Sequence, residues 1–236
     1  PALNCDEVII TPANEGETLK RFTVRKGDIL IGDRGYAHRA GIAHVIAQGG
    51  DVIIRTNLVT LPLLDATGIR TDPLVALRTL RVGECGDWPA FVQGDKKQLI
   101  AGRLCAIRKS EVAAQKGRQR VQRESQRGGS QVRPETLEAA SYVFVFTTLP
   151  DIIPAPAVME LSRGRWQIEL AFKRLKSLFQ LVHLKKTDER AARAWLQGKL
   201  LVAFILDALL ETTERISPWG YRQSNEEARP MPLARD

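Results

Sequence analysis

The chain has 236 residues, 44% of them hydrophobic, with 35 Lys and Arg against 27 Asp and Glu and a net charge of +8. That apolar share is ample for one large buried core, or a core carrying an insertion, so the chain is globular. The pI of 9.7 makes a polyanion, nucleic acid first, the leading partner class, because each cation set against a phosphate releases condensed counterions; charge alone does not separate DNA from RNA or from a membrane surface.

Cys5, Cys85 and Cys105 are odd in number and lack zinc spacing, so they are expected to be buried or incidental thiols. His38, His44 and His183 are scattered. A reducing cytoplasm fits this usage, and no basic leader followed by an apolar segment supports secretion. The sequence starts at Pro1 without an initiator Met, so an N-terminal portion is expected to have been removed or left out.

In chain order, Val8 to Thr11 reads as a short strand, and PANEGETLK as a loop leading into a helix. Lys26, Gly27 and Asp28 make a turn before Ile29 to Ile31, an apolar run stopped by Gly32, Asp33, Arg34, Gly35 and Tyr36. A helix is predicted from Ala37 to Gly49, with Ile42, Val45 and Ile46 toward a sheet. Paired strands are predicted from Asp51 to Asp65 around a turn at Asn57, and further short strands at Val75 to Val82 and Leu99 to Ile107, together a mainly β insertion. Trp88 reads as a packed core residue.

Residues 108–133 are the sharpest compositional break, with eight cations and two glutamates for a charge of +6. They read either as a solvated, partly helical arm or as a DNA-backbone contact that supplies affinity without specificity. Tyr142 to Thr148 is the clearest strand and should rejoin the central sheet. Pro150, Pro154 and Pro156 then break the chain before a helix that continues toward Leu184. A basic cluster follows at Lys185, Lys186, Arg190 and Arg193, then a helix from about Ala191 to Thr213. Its apolar run, Leu200 to Leu210, is too short for a membrane span and contains Asp207, so it is expected to be a core helix. The tail after Pro218 is expected to be loosely ordered.

Two stretches carry chemistry. Asp33 closes a buried strand, the end of an open α/β sheet where side chains converge on ligands. By spacing alone it could equally just support the turn. In LSRGRWQIELAFKRLK, residues 161–176, helical spacing puts Arg165, Glu169 and Lys176 on one stripe and Ile168, Phe172, Leu175 and Phe179 on a core-facing one. An ordinary surface ion pair between Arg165 and Glu169 would leave the same pattern.

The second stretch resembles the segment of insertion-sequence DDE transposases, the "IS-four" type, whose signature is Tyr, two residues, Arg, three residues, Glu, six residues, Lys. Arg165, Glu169 and Lys176 occupy its last three positions, Arg163, Trp166, Ile168, Phe172 and Lys173 fit the surroundings, and Ser162 stands where the family has Tyr. GDRGY, preceded by KGD and two apolar residues, with GETL upstream, is similar to that family's second-Asp motif. The resemblance spans roughly residues 15–210. It implies an α/β, RNase-H-like catalytic core, incomplete at the N-terminus, with a β-rich insertion. It also implies metal-dependent cleavage at transposon ends and strand transfer into a target, with Asp33 and Glu169 as the second and third acids, and Mg²⁺ or Mn²⁺ as cofactor.

Arg165, Lys176, Arg163, Lys173, Arg34, Arg118, Arg120 and Arg123 are the expected DNA contacts. The implied layout is core at 1–50, insertion at 51–140 with the basic arm inside it, core again at 141–216 and tail at 217–236. The partner is double-stranded DNA, with a homodimer in the DNA complex left open and no membrane. The location is cytoplasmic, with the bacterial nucleoid. The first acid of the family has no match among Asp6, Glu7, Glu15, Glu17 and Asp28, so the reading is a truncated transposase, inactive by itself. The other readings are a non-catalytic nucleic-acid-binding module, a decayed remnant of a mobile element, and a different RNase-H-like nuclease.

Overall fold

The computed structural model describes residues 7, 9–11, 15–94, 98–129, 131–169, 173 and 188–216, of which 207 and 210–216 are described by backbone alone. The chain divides into two units, residues 1–168 and 169–236.

In the first unit, strands β1 (Ile29–Gly32) and β2 (Asp51–Arg55) pair in parallel, Ile29 beside Asp51 and Gly32 beside Ile54. Helix α1 (Arg39–Ala47) joins them and ends where foreseen, with Gly49 at φ 79°. The second of the paired strands expected between Asp51 and Asp65 does not form. Asn57 does turn the chain, its side-chain oxygen accepting from the amides of Val59 (2.8 Å) and Thr60 (2.6 Å). Beyond it no second strand pairs with β2; Leu61 and Leu63 are buried from a loop, and only Leu64 makes isolated bridges, to Arg70 and Phe91. An apolar run can be hidden by loop packing as well as by a ladder, and pattern alone cannot tell them apart.

Residues 75–82 are likewise not a strand. Helix α2 (Pro73–Leu77) starts there, because Asp72 accepts from the Leu74 amide at 3.0 Å and Pro73 supplies the fixed φ of a first helical position. Ile9 to Thr11 carry no strand, and the helix expected after GETL is a single 3-10 turn, Leu19–Arg21, capped by Thr18.

Strands β3 (Cys85–Gln93) and β4 (Leu99–Arg108) form an antiparallel hairpin, and helices α3 (Glu111–Arg127) and α4 (Pro134–Ala139) lead to β5 (Tyr142–Thr147). β5 pairs antiparallel with both β2 and β4, giving one five-stranded sheet in the order β1-β2-β5-β4-β3. The foreseen strand at 142–148 does rejoin the sheet. Strand alternation sends Val52, Ile54, Phe144 and Phe146 to one face, with Ile42 and Val45 of α1, and Trp88 packed against them. Ile53, Cys105 and Val145 go to the other, under Val158 and Met159 of helix α5 (Ala155–Gly164). Both faces are covered, as a parallel pair requires. This is the α/β class expected, consistent with an RNase-H-like core.

Arg103 of β4 holds the approach to α5. It is 9% exposed, and its guanidinium donates to the carbonyls of Leu149 (3.1 Å), Pro150 (2.9 Å) and Ile153 (2.9 Å) while pairing with Asp87. The prolines that interrupt the chain there are thus fixed to the sheet by a single planar donor.

In the second unit, helix α6 (Glu189–Ile216) is longer than foreseen, and Lys199 lies over the Trp195 ring with Nζ 3.9 Å from its centroid. The expectation of a core helix does not hold. Leu201, Val202, Ile205, Leu206 and Leu209 are all exposed, Leu201 by 61%, while Ala203 is buried. Those five lie within about 140° of the helix circumference, and a helix buries only the side that packs. Among the described residues no helix is long and apolar enough to cross a membrane.

Candidate active site

β1, β2 and β4 run in the same direction, so Asp33, Arg55, Arg108 and Lys109 follow or close strands at one end of the sheet. Asp33 is half-exposed and caps the 3-10 turn Arg34–Tyr36, with Oδ1 accepting from the Gly35 amide at 2.8 Å. The turn-supporting role is therefore real, and it uses one oxygen. The other, Oδ2, stands 4.0 Å from Nη1 of Arg165, too long for a direct hydrogen bond but within ion-pair reach. Arg165 is the residue after α5, with its side chain only 18% exposed.

Gly35 shows why the turn takes this form. A β-carbon there would collide with the Glu17 carboxylate and lie 3.1 Å from Asp33 Oδ1, so Glu17 and Asp33 bracket the same residue. Tyr36 reports the same crowding: burial first, then the carboxylates of Glu17 and Asp33, push its phenol above its ordinary pKa.

Cations complete this end. Lys109 is half-buried, and its ammonium donates to the Ala140 carbonyl at 2.6 Å. Burial pushes its pKa down, and the charges of Arg55 and Arg34 push it further. From sequence Glu17 is weighed only as a first acid and set aside, Lys109 enters only as one charge of the basic arm, and Arg55 is not singled out. The available signal for Arg55 was a charge ending an apolar strand beside the Asp33 strand.

The other predicted residues distribute unevenly. Arg163 is exposed on α5 and pairs with Glu160 at 3.1 Å. Residues 166–169 are helical, but Ile168, expected to face a core, is 45% exposed. The polypeptide does not run as one regular helix through the stripe, since α5 ends at Gly164 with Arg165 as its C-cap and helix resumes at Trp166. Glu169 and Lys173 are helical and exposed and belong to the second unit. Lys176, Phe172, Leu175, Phe179, Leu184, Lys185 and Lys186 lie outside the described residues. On α3, Arg120 binds Glu124 at 2.8 Å, Arg123 is exposed, and Arg118 is half-buried, donating to Ser141 Oγ at 2.9 Å and pairing with Glu111. Among the described residues no group of three or more His, Cys, Asp and Glu side chains could hold a metal ion.

The family described as "Transposase DDE domain" matches residues 10–205. The chain belongs to the DDE transposases. It is 36% identical over 215 residues to the transposase for insertion sequence element IS421 of Escherichia coli, covering 89% of this chain and 58% of that protein. The InsL protein of element IS186A from Escherichia coli K12 matches to the same extent, 36% over 215 residues and the same two shares. The transposase for element IS231F of Bacillus thuringiensis subsp. israelensis is 28% identical over 204 residues, 80% of this chain and 43% of that protein. The chain thus spans only about half the length of these relatives, 58% of the first two and 43% of the third. No solved structure matches it.

The geometry at Asp33 connects two sequence motifs that are about 130 residues apart in this chain. The arginine of the Arg-Glu-Lys signature stands against the aspartate of GDRGY.

Proposed function

We propose that this DDE transposase contributes Asp33 and Glu169 to a metal-dependent phosphodiester cleavage and strand-transfer site acting at insertion-sequence ends. The observation that supports it most is the 4.0 Å approach of Arg165 to Asp33, because Arg165 precedes Glu169 by one helical turn in sequence. Asp33 Oδ2, not used by the turn, and the Glu169 carboxylate would hold Mg²⁺ or Mn²⁺, hard cations that take carboxylate oxygen. Such ions activate the attacking oxygen and stabilise the leaving one. Arg165, 4.0 Å from the Asp33 carboxylate, offers a guanidinium to a phosphate; Lys176, Lys173, Arg163 and Arg34 add positive charge along the DNA path.

In this reading residues 1–50 and 141–216 are catalytic core, 51–140 is an insertion whose hairpin extends the same sheet, and 217–236 is a tail. The partner is double-stranded DNA at the transposon end and the target, bound by a homodimer in the bacterial cytoplasm and nucleoid. Only two of the three acids the family resemblance asks for find a match in the 236 residues, so the chain by itself binds DNA without cutting it. A basic DNA-binding module without chemistry is the second reading, favoured by the absence of a gathered acid triad among the described residues.

The test compares the product of the complete reading frame with the 236-residue chain on DNA carrying the element's ends, in Mg²⁺. Cleavage by the former alone, abolished by Asp33→Ala and by Glu169→Ala, is the expected result. Cleavage that survives either substitution removes that acid from the site.

A further inference from the structure

The basic arm is a capped helix, and its cations are sorted by face. Ser110 accepts from the Ala113 amide at 3.4 Å to start α3, which then runs 17 residues to Arg127. At 3.6 residues per turn Lys116, Arg120, Arg123 and Arg127 fall within an arc of about 60°, along about 16 Å of helix. All four are exposed. The opposite side holds Ala114, Val121, Ser125 and Arg118, which are buried or half-buried. Gly117 lies between these sides and seats the helix, since a β-carbon there would stand 2.8 Å from the Ala140 carbonyl oxygen. α3 is therefore held against α4 and the turn after it, with one edge turned out.

Glu124, beside the stripe, shows how far the field extends. Its hydrogen bond from Arg120 lowers its pKa, and the charges of Arg34 and Arg127 act in the same direction. The geometry agrees: β4 ends at Arg108, at the Asp33 end of the sheet, and α3 starts at Glu111 directly after it.

Resting on the DNA-binding reading above, we infer that Lys116, Arg120, Arg123 and Arg127 form a rail for the sugar-phosphate backbone of duplex DNA, leading it toward the Asp33 end of the sheet, and that Arg118 takes no part. The rail lies along one uninterrupted helix and is single-signed apart from Glu124, and the duplex presents one charge per about 1.7 Å of axis. It carries no aromatic side chain to stack on bases and so reads backbone, not sequence.

The test measures binding of the 236-residue chain to a random-sequence duplex of about 30 base pairs across a salt series. Glutamine replaces Lys116, Arg120, Arg123 and Arg127 together in one variant and Arg118 alone in another; circular dichroism confirms that α3 persists. Each neutralised phosphate contact contributes about 0.9 to the log–log salt slope, so the fourfold variant should flatten it by about 3 to 4. Arg118→Gln should keep the slope while lowering the melting temperature. A fourfold variant with the wild-type slope overturns the rail and leaves the transposase reading standing. Wild-type chain that fails to bind duplex DNA even at low salt overturns the rail and the DNA-binding reading together. Tighter binding to duplex RNA or to anionic phosphatidylserine vesicles than to DNA overturns the assignment of the ligand.

Discussion

Arg165 and Arg103 do different work with the same side chain. Arg103 is nearly buried, and its removal strands three carbonyls and the Asp87 charge, so Arg103→Met should cost about 3–5 kcal/mol, read by urea denaturation. A loss below about 1 kcal/mol would show that the loop is held by its prolines alone. Arg165 stands at a half-exposed acid and should act on rate more than on stability. In a form of the protein that cleaves element-end DNA, Arg165→Lys should lower cleavage on the order of 10²-fold with little change in melting, because a point charge does not reproduce the planar fork.

Cys105 behaves as the sequence suggested for a buried thiol. Burial, then the Asp87 carboxylate, push its pKa up to about 12 from 9.0. A raised folded-state pKa stabilises the fold fully below pH 9 and progressively less from there to about pH 12, since only the unfolded chain gives up the proton in that window. Cys105 in the folded protein should therefore resist a thiolate-directed reagent at pH 8 and react on unfolding. Rapid labelling of the native protein would contradict this.

At the level of elements, what was legible followed how strongly local chemistry decides. β1, α1, β5 and the turn at Asp33 were readable because Gly, Asp and uninterrupted apolar runs bound them closely. α2 was misread because Leu74 and Leu77, three apart, were submerged in a run of apolar letters, while the Asp72-Pro73 start signal was there to be used. α3 was visible as charge but not as a sorted face, since Arg118 looks like its neighbours until Ser141, 23 residues away, is placed beside it. Gly117→Val should separate α3 from α4, because the obstacle is a backbone carbonyl that cannot rotate away. A loss of about 1–3 kcal/mol is expected from thermal melting, and an unchanged melting temperature would mean the two helices are not locked there.

For the whole molecule, the +8 charge is concentrated where the chemistry is proposed: on α3, at the Asp33 end of the sheet and through the 163–176 segment. Family membership was legible because two short motifs kept their order and spacing. The approach of Arg165 to Asp33 was not, because it depends on where α5 ends and on how Arg103 fixes the loop before it. Glu17 was passed over for the same reason: its place beside Gly35 is set by tertiary packing, with nothing in GETL to show it.

Thiophilic rescue tests most directly whether Asp33 and Glu169 are metal ligands. Asp33→Cys and Glu169→Cys would be made in a form of the protein that cleaves element-end DNA, and cleavage followed in Mg²⁺ and in Mn²⁺. Thiolate is a poor ligand for Mg²⁺ and a better one for softer ions, so each variant should be inactive in Mg²⁺ and regain cleavage in Mn²⁺. Equal loss in both metals, alongside a wild type active in both, would contradict the assignment of these two carboxylates to the metal.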